Sequence, residues 1–188
     1  MKTKNKIYFL ESKSIYIRPF ELKDITKSYL RWINNPDINF GIEGRYPLNE
    51  YEAKEFFDST KKSKTSVMFA ICLKTNSRHI GNCMISNIDW INSRCRFGRI
   101  IGEKKYRSKG IGSEITYLLQ KYVFEKLNLN SMFTGTKKNN LASIRSNKKS
   151  GMQIEGISKE AIYSDGKYYD EIRFGITKKM YFAKFKIS

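Results

Sequence analysis

A chain of 188 residues, 40% hydrophobic and 14% aromatic, is long enough to bury one core and too apolar to stay disordered, so a single folded domain over residues 1–188 is expected. No apolar run approaches the ~20 residues that span a bilayer, and the patch at residues 7–10 is too short for a signal-peptide core, which predicts a cytoplasmic protein with no membrane contact. Lys and Arg number 36 against 18 Asp and Glu, a net charge of +18 whose field attracts phosphates and repels polycations.

In chain order, residues 15–20 (IYIRPF) alternate apolar and polar side chains, as a strand buried on one face does. Leu22, Ile25, Tyr29, Trp32 and Ile33 recur at helical spacing until Asn34-Asn35-Pro36, because the residue before proline avoids the helical region. Asn49 and Glu52 stand ahead of Ala53, Phe56 and Phe57 as an asparagine-led capping box that opens a second helix. The β-rich runs SVMFAICL, IGNCMISNIDW and RCRFGRII, joined by short turns, predict an antiparallel meander. Beyond RSKGIGSE (107–114), Ile115, Leu118, Leu119, Tyr122, Val123 and Leu127 form one stripe of a long helix.

SMFTGT (131–136) reads as a strand parallel to the one before that helix, since a helical crossover returns the chain in the same direction. Asn140 caps a shorter helix running through Lys149 and closed at Gly151. Residues 154–163 and 168–176 then pair as a hairpin about Ser164-Asp165-Gly166-Lys167. The sum is a mixed α+β domain, a mostly antiparallel twisted sheet of about seven strands flanked by about four helices.

Cys72, Cys83 and Cys95 form no CxxC pair, and His79 follows a Thr-Asn-Ser turn while the cysteines sit in strand-like runs. No metal site, disulfide framework or Cys-His nucleophile is therefore expected, and the cysteines read as reduced, buried side chains. No acidic residue occurs between Glu125 and Glu155, while Lys137, Lys138, Arg145, Lys148 and Lys149 fall there. That segment is either an anion-facing surface or an ordinary solvated face.

The stretch RSKGIGSE poses the chemical question. A nucleoside-triphosphate loop needs G-x-x-x-x-G-K-[ST], which is absent; a dinucleotide fingerprint needs a third glycine where Ile115 stands, and parallel strands where the meander lies. Two readings remain. Either the glycines simply make a tight loop, or they turn backbone N–H groups inward at a helix N-terminus, where unsatisfied donors and the positive end of the dipole favour a phosphate. In the second reading Arg107 and Lys109 add charge and Ser113 a hydroxyl.

The order of elements, with the basic glycine loop between the meander and the long helix, resembles the GCN5-related N-acetyltransferase (GNAT) family over residues 14–181. IYIRPFELKD, YLRWINNPDI, GEKKYRSKGIGSE and NLASIRSNKKSGM followed by EG occur in the order of the subgroup that includes ribosomal-protein N-terminal acetyltransferases. Arg107, Ser108, Lys109, Gly110, Ile111 and Gly112 match the family's [RQ]-x-x-G-x-[GA] motif, which wraps the pyrophosphate of acetyl-CoA. The resemblance implies acetyl-CoA as cosubstrate and no metal. It sets Gly98, Arg99, Ile100 and Ile101 beside the pantetheine arm, with main-chain amides for the arm and the acetyl carbonyl. It also sets Asn140 on the arm, and Arg145 and Lys148 near the 3′-phosphate.

The implied reaction is direct attack of a neutral amine on the acetyl thioester, without a covalent enzyme intermediate. It needs a group to take the amine proton and a group to meet the departing thiolate. Here the chain departs from the family: Arg96 stands where the subgroup often has glutamate, Asn147 where many GNAT enzymes carry the tyrosine acid, and Ser108 and Met152 replace a common glycine and phenylalanine. Ser143, matching the serine of an N-x-x-S pattern, becomes the candidate acid. Glu160 and Asp89 are candidate bases, with a water relay as the alternative. Asp170 resembles a recurring family aspartate or orders the hairpin.

In the family the helical segment after the first strand forms the acceptor side. NFGIEGRYP supplies Glu43 for an ammonium and Arg45 for a phosphate or carboxylate, unless the two pair with each other. The net charge argues against polyamines and suits a nucleotide-linked amino sugar or a protein on an RNA-bearing ribosome. The resemblance favours a protein N-terminus, then the amino sugar, then an aminoglycoside. A basic nucleic-acid-binding module or a non-catalytic interaction protein on the same fold is the alternative of another class, with no RNP, KH or zinc-finger signature behind the first. A monomer or homodimer is expected.

Overall fold

The computed structural model describes residues 8–39, 46–164 and 166–185. The chain runs β1 (Leu10–Glu11), β2 (Ile15–Pro19), a 3-10 turn (Leu22–Asp24), α1 (Lys27–Asn34), α2 (Pro36–Asn39), α3 (Glu50–Lys62), β3 (Val67–Leu73), β4 (His79–Asp89) and β5 (Arg94–Ile101). It continues through α4 (Ile111–Lys121), a π-helical turn (Tyr122–Lys126), β6 (Ser131–Lys137), α5 (Leu141–Lys149), β7 (Gln153–Ser164), β8 (Lys167–Thr177) and α6 (Lys178–Phe185). Eight strands form one sheet in the order β1-β2-β3-β4-β5-β6-β8-β7. Every pairing is antiparallel except β5 with β6.

The mixed, mostly antiparallel architecture matches the sequence reading, with additions at the margins. Strand β1 is two residues long, too short for a periodic signal. Helix α6 follows β8 without an intervening turn residue, so nothing in the sequence announces it. The caps that do carry signals are formed. Asn49 Oδ1 accepts from Glu52 N at 3.0 Å while Glu52 Oε2 accepts from Asn49 N at 2.7 Å, and Asn140 Oδ1 accepts from Ser143 N at 3.1 Å.

Side chains cover both faces of the sheet's first half. Ile15, Ile17, Phe69, Ile71 and Cys83 meet Ile111, Ile115, Leu118 and Leu119 of α4 on one side. Tyr16, Phe20, Ala70 and Cys72 meet Tyr29 and Trp32 of α1 and Ala53 of α3 on the other. Strand β2 is therefore buried at Ile15, Tyr16 and Ile17 in succession, where alternation had suggested one buried face; a strand sandwiched between two helical layers has no solvent side. Helix α4 is fastened to the N-terminal hairpin by Glu114, whose carboxylate accepts from Ser12 Oγ and Ser14 Oγ, both at 2.6 Å, and from Ser14 N at 3.0 Å.

Candidate functional site

Strands β5 and β6 pair over three residues only, Arg94↔Ser131, Cys95↔Met132 and Arg96↔Phe133. Beyond Arg96 they part: β5 stays joined to β4 as far as Ile101 and β6 to β8 as far as Lys137, so each leaves one backbone edge open to the gap. A cleft of about 490 Å³ occupies that gap, lined by Arg99, Ile100 and Ile101 from β5 and Gly135, Thr136 and Lys137 from β6. That is the size of a small-molecule site.

One wall is the glycine loop, through Arg107, Ser108, Gly110, Gly112 and Ser113. Gly110 is the N-cap of α4 at φ +82°, a left-handed conformation that suits glycine, and a Cβ there would meet nothing within 4 Å. The first intrahelical bonds run from Ser113 N and Glu114 N to Gly110 O at 2.9 and 3.2 Å, which leaves the N–H groups of Ile111 and Gly112 ahead of them as helix-end donors. Arg107 Nε donates to Ile101 O at 3.0 Å and ties the loop to β5. The side chain of Ile111 goes into the core instead, and Lys109 is exposed beside the lining.

The facing wall is α5, through Asn140, Ala142, Ser143, Arg145, Ser146 and Lys149; Lys148 is exposed beyond it. The two helices touch at Gly112, where an added Cβ would lie 2.9 Å from Ser146 Oγ and 3.6 Å from Arg99 Nε. Arg99 sits between them. Its Nη2 donates to Asn147 Oδ1 at 2.8 Å and lies 3.5 Å from Ser143 Oγ, and its Cζ stands 5.4 Å from the Phe97 ring centre. Protein surrounds the guanidinium except toward the cleft, and burial pushes its pKa down to about 10, which leaves it charged at neutral pH. Asn147 is fully buried and bonds onward through Nδ2 to Thr136 Oγ1 at 3.2 Å. The residue in the tyrosine's usual place is therefore a bracket for Arg99. The sequence carried a signal: Arg99 has the same strand parity as the core residues Cys95 and Phe97.

Ser143 lines the cleft, whereas neither carboxylate expected as a base does. Asp89 closes the β4–β5 turn, accepting from Asn92 N at 2.9 Å and Asn92 Nδ2 at 2.7 Å, bonds that hold its pKa below the usual carboxylate range. Glu160 is exposed on the β7 bulge at φ +48°. Its N–H donates to Asp170 at 3.2 Å, and Lys138 and Lys159 reach the same carboxylate at 3.2 Å, so Asp170 orders the hairpin. Glu43 and Arg45 lie outside the described residues.

The face of the sheet opposite α4 carries a carboxylate that the sequence did not single out. Strand alternation puts Arg96 and Gly98 of β5, Phe133, Gly135 and Lys137 of β6, and Tyr169, Glu171 and Arg173 of β8 on that face. The α1–α3 layer packs on β2 and β3, and its buried cluster takes no residue from β6 or β8. The Glu171 carboxylate folds over Gly135, filling the space a Cβ would need, and stands 3.8 Å from Arg173 Nε. Lys137, buried beside it, donates from Nζ to Ser164 Oγ at 3.1 Å and lies 4.8 Å from the Tyr169 ring centre. A glycine inside a strand marks a close approach; here the residue opposite Gly135 in the register is Arg173, and the carboxylate that approaches is that of Glu171, the partner of Lys137.

All three cysteines are buried thiols, and burial raises Cys95 to about 12 and Cys83 further, so neither is a thiolate at neutral pH. Among the described residues no three His, Cys, Asp or Glu side chains gather as a metal site, and no helix is long and apolar enough to cross a membrane.

Residues 14–153 match the family described as Acetyltransferase (GNAT) domain. The uncharacterized N-acetyltransferase YnaD of Bacillus subtilis (strain 168) is 26% identical over 173 residues, spanning 90% of this chain and 97% of that protein. The spermidine N-acetyltransferase from Vibrio cholerae in complex with CoA and spermine has the same fold at a TM-score of 0.82 and 21% identity, over 89% of this chain and 97% of that one. A GNAT-family acetyltransferase from Bacillus anthracis superposes at a TM-score of 0.76 and 24% identity, over 90% of this chain and 98% of that one.

Proposed function

This chain belongs to the GNAT acetyltransferase family and is an acetyl-CoA-dependent N-acetyltransferase, and from that premise we propose that its acceptor is a primary amine on a molecule that also carries negative charge, first of all a protein N-terminus. The observation that carries the proposal is the mixed charge of the open sheet face: Glu171 over Gly135 and Glu155 over Gly175, among Arg96, Lys137 and Arg173. Of the two, Glu171 is the one beside Gly135 of the cleft lining and suits the ammonium, and the cations around it suit an anionic remainder. A polyamine would meet those cations and the field of a chain with net charge +18.

In this reading the N–H groups at the head of α4, with Arg107, Ser108, Lys109, Gly110, Ile111, Gly112 and Ser113 around them, hold the coenzyme diphosphate, while Arg145 and Lys148 supply charge at the rim. The open edge of β5 at Ile100 and Ile101 aligns the pantetheine arm, with Asn140 across the cleft. Acetyl-CoA, when bound, supplies the activated acyl group. A β5 main-chain N–H faces the carbonyl oxygen as charge builds on it. Glu171, outside the cleft lining itself but folded over its Gly135, takes the proton of the amine through water, and the approach at Gly98 is open, since a Cβ there would meet nothing within 4 Å.

The same charge pattern favours a nucleotide-linked amino sugar as a second reading, because its phosphates would meet the same cations. Free-thiol release from acetyl-CoA, followed across N-terminal peptides, nucleotide-linked amino sugars, aminoglycosides and spermidine, decides the acceptor. Turnover should concentrate on an anion-bearing amine, and the highest kcat/KM on spermidine would overturn the proposal.

A further inference from the structure

The reaction generates a second anion that the glycine loop does not address. As the amine nitrogen bonds to the acetyl carbon, the C–S bond breaks and its electron pair stays on sulfur, while the amine proton leaves toward the acceptor side. An alkanol hydroxyl such as that of Ser143 is a far weaker acid than a thiol, so it cannot give a CoA thiolate its proton with any driving force. Asn147 has no acidic proton to give.

We propose that Arg99 is the counter-charge for the departing thiolate: a fixed guanidinium that stabilises the sulfur anion where it forms, so that the protein need not protonate it before it leaves. This inference rests on the acetyl-CoA reading of the cleft. Three observations carry it. Arg99 lines the cleft from β5, in the stretch where the strand has left β6. It has no carboxylate within ion-pair distance among the described residues, although a half-buried cation without an anion costs desolvation that nothing else in the fold offsets. Its pose is fixed by the Asn147 bracket at 2.8 Å and the Phe97 ring.

The guanidinium also faces the right way. Its Nε is the atom nearest Gly112, whereas Nη2 reaches Ser143 and Asn147 of α5, the position of the family's tyrosine acid. The diphosphate already has helix-end N–H groups and rim cations. The interior cation is left for the far end of the arm, where the thioester lies.

The test compares wild type with Arg99→Met and Arg99→Lys, both of which keep the volume and the second of which keeps the charge. Thiolate absorbance of the CoA complex, titrated with pH, reports ionisation of the bound thiol. It should occur at lower pH in wild type than for free CoA, partly recover that shift in Arg99→Lys, and return to the free value or above in Arg99→Met. Turnover should fall about 100-fold in Arg99→Met, as when one donor to a reaction anion is removed. Affinity for desulfo-CoA should stay within about threefold. Identical thiol titrations in wild type and Arg99→Met would overturn the proposal. So would an equal weakening of CoA, desulfo-CoA and adenosine 3′,5′-bisphosphate, which would make Arg99 a phosphate ligand. Absence of CoA uptake by the wild type would instead remove the reading beneath it.

Discussion

The two sides of the cleft are made of different materials. The proposed coenzyme wall is mostly backbone: the head of α4, the open edge of β5 and a loop whose Gly110 takes φ +82°. The proposed acceptor face, which adjoins the cleft at Gly135 and Lys137, is mostly side chain, with Arg96, Lys137, Glu171 and Arg173 contributed by three strands. A backbone wall needs space, and it fails when that space is filled. A side-chain floor needs particular charges, and it fails when one of them is neutralised.

Filling the space should have the largest effect. At Gly112 a Cβ would already stand 2.9 Å from Ser146 Oγ, so Gly112→Trp must push α5 from α4 and close the loop over its own donors. Affinity for CoA should fall at least about 100-fold by calorimetry, in line with loss of a preorganised anion site. The hydrophobic cluster lies on the buried side of α4, so far-ultraviolet dichroism should stay native. Unchanged affinity would show that the wall is not where the diphosphate sits.

Neutralising the floor should cost less and act on a different constant. Glu171→Gln keeps the shape over Gly135 and removes the charge. We expect kcat/KM for the amine to drop about 10- to 100-fold, the range for a proton-transfer group, while CoA affinity holds. Raising the pH, which deprotonates the amine in solution, should restore part of the rate. A variant that loses CoA affinity and keeps its amine kinetics would erase the distinction between the two sides.

The same difference explains what could be read in advance. The meander, the α4 stripe, both asparagine caps and the glycine loop are local, each specified within a few turns of chain by periodicity or by a cap. The loop wall of the cleft, where we propose the coenzyme binds, is assembled from those local pieces, so its residues follow in order along the sequence. Glu171 is not local, because its place depends on the β6–β8 pairing, which sets it opposite Lys137 and lets its carboxylate fold over Gly135. Asp89 and Glu160 looked suitable as carboxylates at strand ends, and the structure spends one on a turn and leaves the other on an exposed bulge. For Arg99 the sequence gives the place on the strand but not the bracket: an arginine on the core parity of an apolar strand needs a reason, and the helix that supplies Asn147 lies in a later part of the chain.

The smallest effect gives the most selective comparison. Ser108 occupies φ +58°, a left-handed conformation that a side chain bears at a cost and glycine does not, and it is exposed at the rim of the cleft. In Ser108→Gly the relief of that strain is partly offset by the greater freedom of glycine in the unfolded chain, leaving a gain of about 0.5 kcal/mol and a melting shift of about 1–2 °C. If the wall works through its backbone, CoA affinity should stay within about twofold of wild type, because the N–H donors at 111 and 112 keep their places. A clear loss of affinity without a loss of stability would mean that the serine hydroxyl itself meets the coenzyme. The two sides of the cleft would then differ in degree, with side chains at work on both.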